Sequence, residues 1–325
     1  MNEKDSRFSG TGVDYRALTR LLRDRLHVPP ATRFAPTPSG LLHEGHLVNA
    51  ILVWGTARAL GGRVVLRIED HDRERSRPEY EKAALADLET LGFMPDEGRP
   101  EDFSAPETPY RQSDNDAKYA ATLAELRARG HVYECDCSRS AIRKRANQRG
   151  ETIEPGREIP YDGFCRDRGL PPGPERGARL RLDAEEIIFE DALLGSLTQN
   201  PARECGDPLL RDRRGNWTYH YACVLDDARQ GINLIIRGED LLASTGRQES
   251  LRRLLGAPPV LYAHHPLIYD ESGEKLGKSR GSPPLSARFA AGVAPEEEIG
   301  RIAYLLGLLP EARPWPASRL GELFQ

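Results

Sequence analysis

Arg33-Phe34-Ala35-Pro36-Thr37-Pro38-Ser39-Gly40 and, after Leu41-Leu42, His43-Glu44-Gly45-His46 set the pattern of this chain. Arg33-Phe34-Ala35 reads as extended, Pro36 to Gly45 as a Pro/Gly loop, and Leu47 to Leu60 as a mostly apolar helix stopped by Gly61-Gly62. Val64-Val65-Leu66-Arg67-Ile68 is an apolar run of the buried-strand type. Ser76 and Glu79 form a capping box for a further helix with Leu85, Leu88 and Leu91 on one face and Gly92 as its stop. Strand, helix, strand, helix is the beginning of a parallel α/β sheet.

Working outward, residues 1–12 read as a polar tail, and Asp14 opens a helix with Leu18, Leu21, Leu22 and Leu26 on one stripe, closed by Pro29-Pro30. Downstream, Asp114 to Arg129 is a helix, and residues 133–175 are loop-rich with three cysteines and many arginines. Arg179–Leu182 and Ile187–Glu190 read as short strands, Asn216–Leu225 as extended, and Leu234–Arg237 as a strand. Thr245 caps a helix through Leu255, Val260–Tyr269 is extended, and Pro295 opens a helix through Leu309. The expected fold is a doubly wound α/β domain with an insertion: 1–32 tail and helix, 33–112 first catalytic half, 113–205 insertion, 206–270 second half, and 271–325 a lysine loop and helical part.

The 325 residues suffice for about two domains. A net charge of −4 excludes a globally basic coat, so any nucleic-acid surface is local. No apolar run is long enough for a membrane span, and the N-terminus has no apolar signal core. Five cysteines, an odd number with three close together, suit a reducing compartment and a metal better than a disulfide scaffold. A cytoplasmic protein is expected.

Three stretches carry chemistry. His43, Gly45 and His46 at a strand-to-helix turn suit phosphate binding, since glycine admits the backbone, the helix start is partially positive, and imidazoles donate. Lys275-Leu276-Gly277-Lys278-Ser279, on a Gly-rich loop, can close on a polyphosphate. Arg67 to Ser76 is a dense charge cluster at the C-terminal end of an apolar strand, where open α/β sheets bind ligands, and Glu69 there can hold an ammonium group. Taken alone, the first two are more often solvated loops, and the third is as often a surface set of paired charges.

In this order and spacing they resemble the class I aminoacyl-tRNA synthetases, specifically the glutamyl branch. Tyr110-Arg111-Gln112-Ser113, Tyr219 with Asp226-Asp227, and Arg237-Gly238-Glu239-Asp240 are similar to further markers of that branch. Only 46 residues (280–325) follow Ser279, too few for the branch's anticodon-binding region, which makes the chain resemble the glutamyl-Q tRNA(Asp) synthetases. The resemblance implies a Rossmann-like catalytic domain that activates L-glutamate with ATP and Mg²⁺, without needing tRNA. Glutamate then goes to the cyclopentenediol of queuosine in the anticodon loop of tRNA(Asp). It implies glutamate contacts from Arg33, Phe34, Ala35, Pro36, Thr37, Glu69, Tyr219 and Arg237, with Arg33 and Arg237 on the side-chain carboxylate and Glu69 on the ammonium. ATP would be held by His43, Gly45, His46 and Lys278, and His43, His46, Lys275 and Lys278 would be the catalytic residues. It also implies a structural Zn²⁺ on Cys135, Cys137, Tyr161 and Cys165, and a monomer. The alternatives are a truncated glutamyl-tRNA synthetase charging the 3′ end of tRNA(Glu) and a non-catalytic RNA-binding paralogue.

Adenylation needs no strong base, because the attacking carboxylate is already ionised; fixed donors and cations on the phosphates are the main resource. Gly277 stands where the family usually has serine, and the Cys137–Tyr161 span is longer than is usual. That span carries Arg139, Arg143, Lys144, Arg145 and Arg149 without an intervening acid, a candidate contact for RNA phosphates.

Overall fold

The computed structural model describes residues 12–153, 158–269 and 283–325. Lys275, Gly277 and Lys278 lie outside the described residues. The elements in chain order are α1 (Tyr15–Arg25), β1 (Ala31–Phe34), α2 (Glu44–Ala59), β2 (Arg63–Leu66), α3 (Pro78–Leu91), α4 (Asp116–Ala128), β3 (Val132–Cys135), α5 (Arg139–Gln148), β4 (Gly177–Leu180) and β5 (Ile187–Asp191). They continue with β6 (Gly195–Gln199), α6 (Pro201–Glu204), β7 (Leu209–Arg211), α7 (Tyr219–Arg229), β8 (Leu234–Gly238), α8 (Thr245–Leu254), β9 (Leu261–His265), α9 (Leu285–Ala290) and α10 (Pro295–Leu305).

β1 pairs with β2 in parallel, and β8 with β9 in parallel. The Asn233 N–H donates to the Ala31 carbonyl at 3.0 Å, and Arg33 reaches the Ile236 carbonyl, so β1 and β8 run the same way, side by side. These four strands place Arg33, the residues after Leu66, Arg237 and His264 at one end of the sheet, their carboxyl ends. The strands are short and buried on both faces, which is why β2 and β8 read as apolar runs, while β1 and β9 also bury Thr32, Arg33, His264 and His265.

α2 is buried round most of its circumference because it lies between the sheet and the C-terminal helical part. α1 is capped by the Asp14 carboxylate, which accepts the Arg16 and Ala17 N–H groups at 3.0 and 2.9 Å. Its Tyr15 ring meets Phe324 at 6.1 Å, so α1 closes the same core from the other terminus. Glu44, first residue of α2, is buried and pairs with Arg301 of α10 and with Arg288 of α9 at 3.6 Å. Both arginines also bind Glu298, at 2.6 and 2.7 Å. The C-terminal helices thereby hold the start of α2.

Several expectations need correction. Asn216–Leu225 is not extended; from Tyr219 it is α7. Residues 139–148 form α5 rather than loop, with Ile142 and Ala146 buried. Ser76 and Glu79 make no capping box: Pro78 takes the first helical position of α3, Arg77 is the cap residue, and its side chain makes no capping bond. Thr245 is the first residue of α8 rather than its cap. Strand pairing also divides the chain differently from the expected 113–205 insertion. The β5–β6 hairpin joins the main sheet through Asp191 beside Tyr262, whereas β7, beyond residue 205, pairs with β4 in a small antiparallel sheet, β3-β4-β7. Among the described residues no helix is long and apolar enough to cross a membrane.

The packing of α2 on the C-terminal residues is tight at Gly55, where an added Cβ would lie 2.0 Å from the Phe324 ring. Gly55→Ala is expected to cost about 1–3 kcal/mol by overpacking, read as a lower urea midpoint. An unchanged midpoint would show that Phe324 is not part of the closed core.

Candidate active site

A cleft of about 330 Å³ opens at the carboxyl end of the sheet. Of the residues expected to bind substrate, Arg33, Ala35, Pro36, Thr37, His46, Glu69, Tyr219 and Arg237 line it. His43 and Gly45, at the start of α2, do not line it, and neither does Phe34: successive strand residues face opposite sides, and its ring is buried against Trp54 at 5.5 Å.

The floor is built on Arg67, whose side chain has no solvent exposure. Its guanidinium donates to Glu69 Oε1, Asp227 Oδ1 and Gln230 Oε1, each at 2.8 Å, and lies 3.9 Å from Asp226. Asp227 also accepts from Arg33 Nε at 3.3 Å. Burial alone would raise the Asp227 carboxyl, but Arg67 and Arg33 outweigh it and hold it below its ordinary value. Asp226 is satisfied by Gln112 (3.0 Å), Tyr119 (2.8 Å) and Arg229 (2.9 Å). A cation buried this deeply is tolerable only with such compensation.

Arg237 is buried differently. Its Nε donates to His264 Nε2 at 3.0 Å, Nη1 to Gln248 Oε1 at 2.7 Å and to the Tyr219 hydroxyl at 3.4 Å, and Nη2 to Thr245 Oγ1 at 2.8 Å. All four partners are neutral, and no ion pair among the described residues includes it. A guanidinium has five N–H groups, so one remains on Nη2. Arg33, with bonds only to Asp227 and the Ile236 carbonyl among the described residues, keeps more of its fork. The sequence reading missed Gln248, Thr245 and His264; no local pattern marks them, since each is defined by its contact with Arg237.

At the start of α2 the two histidines brace each other. His43 Nδ1 accepts the Gly45 N–H, and the His43 N–H donates to His46 Nδ1, both at 3.2 Å. The rings sit 3.9 Å apart. With Nδ1 accepting in both rings, each neutral imidazole carries its proton on Nε2. Donor nitrogens and the positive end of the helix thus share one place.

In the small sheet, the sulfur atoms of Cys135, Cys137 and Cys165 lie within 4.8 Å of one another. The Tyr161 hydroxyl stands 3.4 Å from Cys135 Sγ and 3.8 Å from Cys137 Sγ. These spacings fit a tetrahedral ion with metal–sulfur bonds of about 2.3 Å, whose edges are about 3.8 Å. Each sulfur also accepts from one arginine: Cys135 from Arg179 (3.3 Å), Cys137 from Arg145 (3.4 Å) and Cys165 from Arg168 (3.3 Å). The Arg179 guanidinium lies 3.6 Å from the centre of the Tyr161 ring. Burial would raise the Cys135 thiol, but Tyr161 and Arg179 hold it below its ordinary value; burial and Cys135 raise that of Cys137 to about 11. Three sulfurs and a phenol gathered within metal-ligand distance of one another, each sulfur facing an arginine, make a donor set that fits a metal. On the outer side of α5, Arg139, Arg143 and Lys144 are exposed, whereas Arg145 and Arg149 are tied to Asp162 at 2.5 and 2.9 Å.

The pattern of the catalytic domain of class I tRNA synthetases (E and Q) matches residues 30–307, and the chain belongs to that family. Relatives narrow it further. The glutamyl-Q tRNA(Asp) synthetase of Symbiobacterium thermophilum is 40% identical over 301 residues, 90% of this chain and 91% of that protein. Those of Ralstonia nicotianae and Rhodobacter capsulatus are 41% and 42% identical, covering 91% and 85% of this chain and 93% and 99% of theirs. At this identity over most of both chains, the protein is a member of the glutamyl-Q tRNA(Asp) synthetase family. A solved glutamate-tRNA synthetase from Elizabethkingia anophelis superposes with a TM-score of 0.72 at 26% identity, over 85% of this chain and 61% of that one. The chain therefore spans about three fifths of that structure.

Because Asp227 has a lowered pKa, its contribution to stability is complete above the ordinary carboxylate value and is lost as pH falls through its folded value. Asp227→Asn, which leaves Arg67 and Arg33 under-compensated, is expected to cost about 3–5 kcal/mol at pH 7 and to flatten the acid limb of stability. Urea midpoints across pH 2–7 measure both; wild-type stability at pH 7 would contradict the shared-carboxylate account.

Proposed function

We propose that this chain activates L-glutamate with ATP and transfers the glutamyl group to queuosine in the anticodon loop of tRNA(Asp). The observation that carries the choice of amino acid is Arg237, a buried cation whose direct partners are all neutral. A side-chain carboxylate entering the cleft supplies the missing charge, received by the fork of Arg33, the remaining N–H of Arg237 and the Tyr219 hydroxyl. Glutamine's amide would set its N–H groups against these donors. Glu69, oriented by Arg67, receives the substrate ammonium. The names of the relatives support the acceptor.

In the first step an oxygen of the α-carboxylate bonds to the α-phosphorus and the bond to pyrophosphate breaks, giving glutamyl-adenylate. His43 and His46 donate from Nε2 to the phosphates, and the start of α2 at Gly45 adds its dipole. Lys278, with Lys275, is assigned to the departing phosphates, which arrive with Mg²⁺. In the second step a hydroxyl of the queuosine cyclopentenediol bonds to the activated carbonyl, AMP leaves, and the hydroxyl proton passes to AMP or solvent.

Cys135, Cys137, Cys165 and Tyr161 would hold Zn²⁺, which in such a site supplies cross-linking rather than catalysis. Held so, Cys135 and Cys137 after β3 would be joined to Tyr161 and Cys165 and to the start of α5. The exposed Arg139, Arg143 and Lys144 then face outward as a contact for RNA phosphates. One zinc per chain is expected in protein purified without chelator, and chelation is expected to lower the thermal midpoint while glutamate-dependent pyrophosphate exchange below that midpoint is retained. Metal analysis showing no zinc refutes the site; Tyr161→Phe with full zinc removes only the fourth ligand.

Glutamate-dependent pyrophosphate exchange without tRNA tests the first step. Radiolabelled glutamate should then load a queuosine-containing tRNA(Asp) anticodon stem-loop, and queuosine-containing tRNA(Asp) from which the 3′-terminal adenosine has been removed. If the stem-loop takes no label while unmodified tRNA(Glu) does, the queuosine reading is wrong and the protein charges the 3′ end of tRNA(Glu).

A further inference from the structure

Behind the cleft lies a line of buried side chains that joins the β5–β6 hairpin to Arg237. Asp191, the last residue of β5, uses both carboxylate oxygens: Oδ1 accepts the N–H groups of Leu193 and Leu194 at 2.8 and 2.9 Å. Its Oδ2 accepts the backbone N–H of His264 at 3.0 Å and the ring Nδ1–H at 2.6 Å. Neither side chain has any solvent exposure. Since Nδ1 carries the proton, Nε2 of the neutral ring is an acceptor, and it receives Arg237 Nε–H at 3.0 Å and the Thr245 hydroxyl at 3.1 Å.

The chemistry of this partner matters. A carboxylate in the place of the imidazole would hold the guanidinium more strongly, as Asp227 and Glu69 hold Arg67, but would cancel its charge. A protonated imidazole would set cation against cation. The neutral imidazole does neither. Burial pushes His264 below its ordinary value, which keeps it neutral despite the nearby carboxylate. Asp191 stands on the far side of the ring, where it fixes the tautomer without touching Arg237.

We propose that His264, held by Asp191, is a positioning residue for substrate selection: it orients Arg237 through a neutral acceptor, leaving the positive charge for the side-chain carboxylate of the amino acid. This rests on the reading of Arg237 as the carboxylate-binding cation. It predicts that His264 acts on the amino acid and not on ATP, although both substrates occupy the same cleft.

Two amides of similar polarity separate this role from a merely structural one. A glutamine reaches as far as Nε2 and can accept from Arg237, whereas an asparagine reaches only as far as Nδ1, toward Asp191. In pyrophosphate exchange, His264→Asn is expected to raise the glutamate KM about 10- to 100-fold, the effect of leaving a buried charged donor without its acceptor. The KM for ATP should stay within about twofold, and His264→Gln should restore most of the glutamate affinity. A glutamate KM unchanged in His264→Asn overturns the proposal. So does a parallel rise in both KM values, or a His264→Gln protein as impaired as His264→Asn with the same far-ultraviolet circular dichroism. If His264→Asn fails to fold while His264→Gln folds, the ratio of glutamate to ATP KM in His264→Gln decides: a ratio shifted by more than about fivefold despite the retained acceptor overturns it, and an unshifted ratio supports it. Wild-type protein that exchanges pyrophosphate with no dependence on glutamate refutes the activity itself, a separate outcome.

Discussion

Removing the guanidinium of Arg67 from solvent is the constraint on which the cleft depends. An ion without water must be surrounded by opposite charge and hydrogen-bond acceptors, and here they come from two places in the chain: Glu69 beyond β2, and Asp226, Asp227 and Gln230 on or at the end of α7. Meeting that demand fixes α7 against the sheet. It also aims Glu69, and through Asp227 it aims Arg33. The positions of one anion and one cation lining the cleft are therefore consequences of how a third, inaccessible charge is compensated.

Arg237 shows the opposite solution a few side chains away. Its neutral partners saturate most of its donors without balancing its charge, and Asp191 stands behind His264, separated from Arg237 by the imidazole. The two arginines have the same side chain and comparable burial, yet one is part of the scaffold and the other is left attractive to an anion. The difference lies in the charge of the contacting atoms.

The first half of the sheet was legible because glycines and prolines punctuate it and because buried parallel strands are continuous apolar runs. α7 was not, for a specific reason: Trp217, Tyr219 and Tyr221 alternate as a strand would, and the face the helix buries includes Asp226 and Asp227, so it does not register as apolar. The motif residues of the cleft could be named from sequence because they sit in short local signatures. Asp191 and His264 could not, since their bond spans 73 residues and neither belongs to a local pattern. The cysteine cluster was legible from spacing, whereas the three arginines on its sulfurs come from separate segments that only the fold brings together.

β1 pairs with β2 on one edge and lies beside β8 on the other, so the second neighbour of a strand completed by residue 34 begins only at residue 234. As the chain leaves the ribosome, the edge of β1 away from β2 offers unpaired amides and carbonyls until that partner arrives, the situation in which strands recruit the wrong neighbour. The small cysteine sheet closes over shorter distances, from Val132 to Arg211, and meets a lower entropic cost. Synthesis of this chain thus holds the half of the sheet that carries the cleft open longest, and conditions that slow elongation between these two strands lengthen its exposure to aggregation.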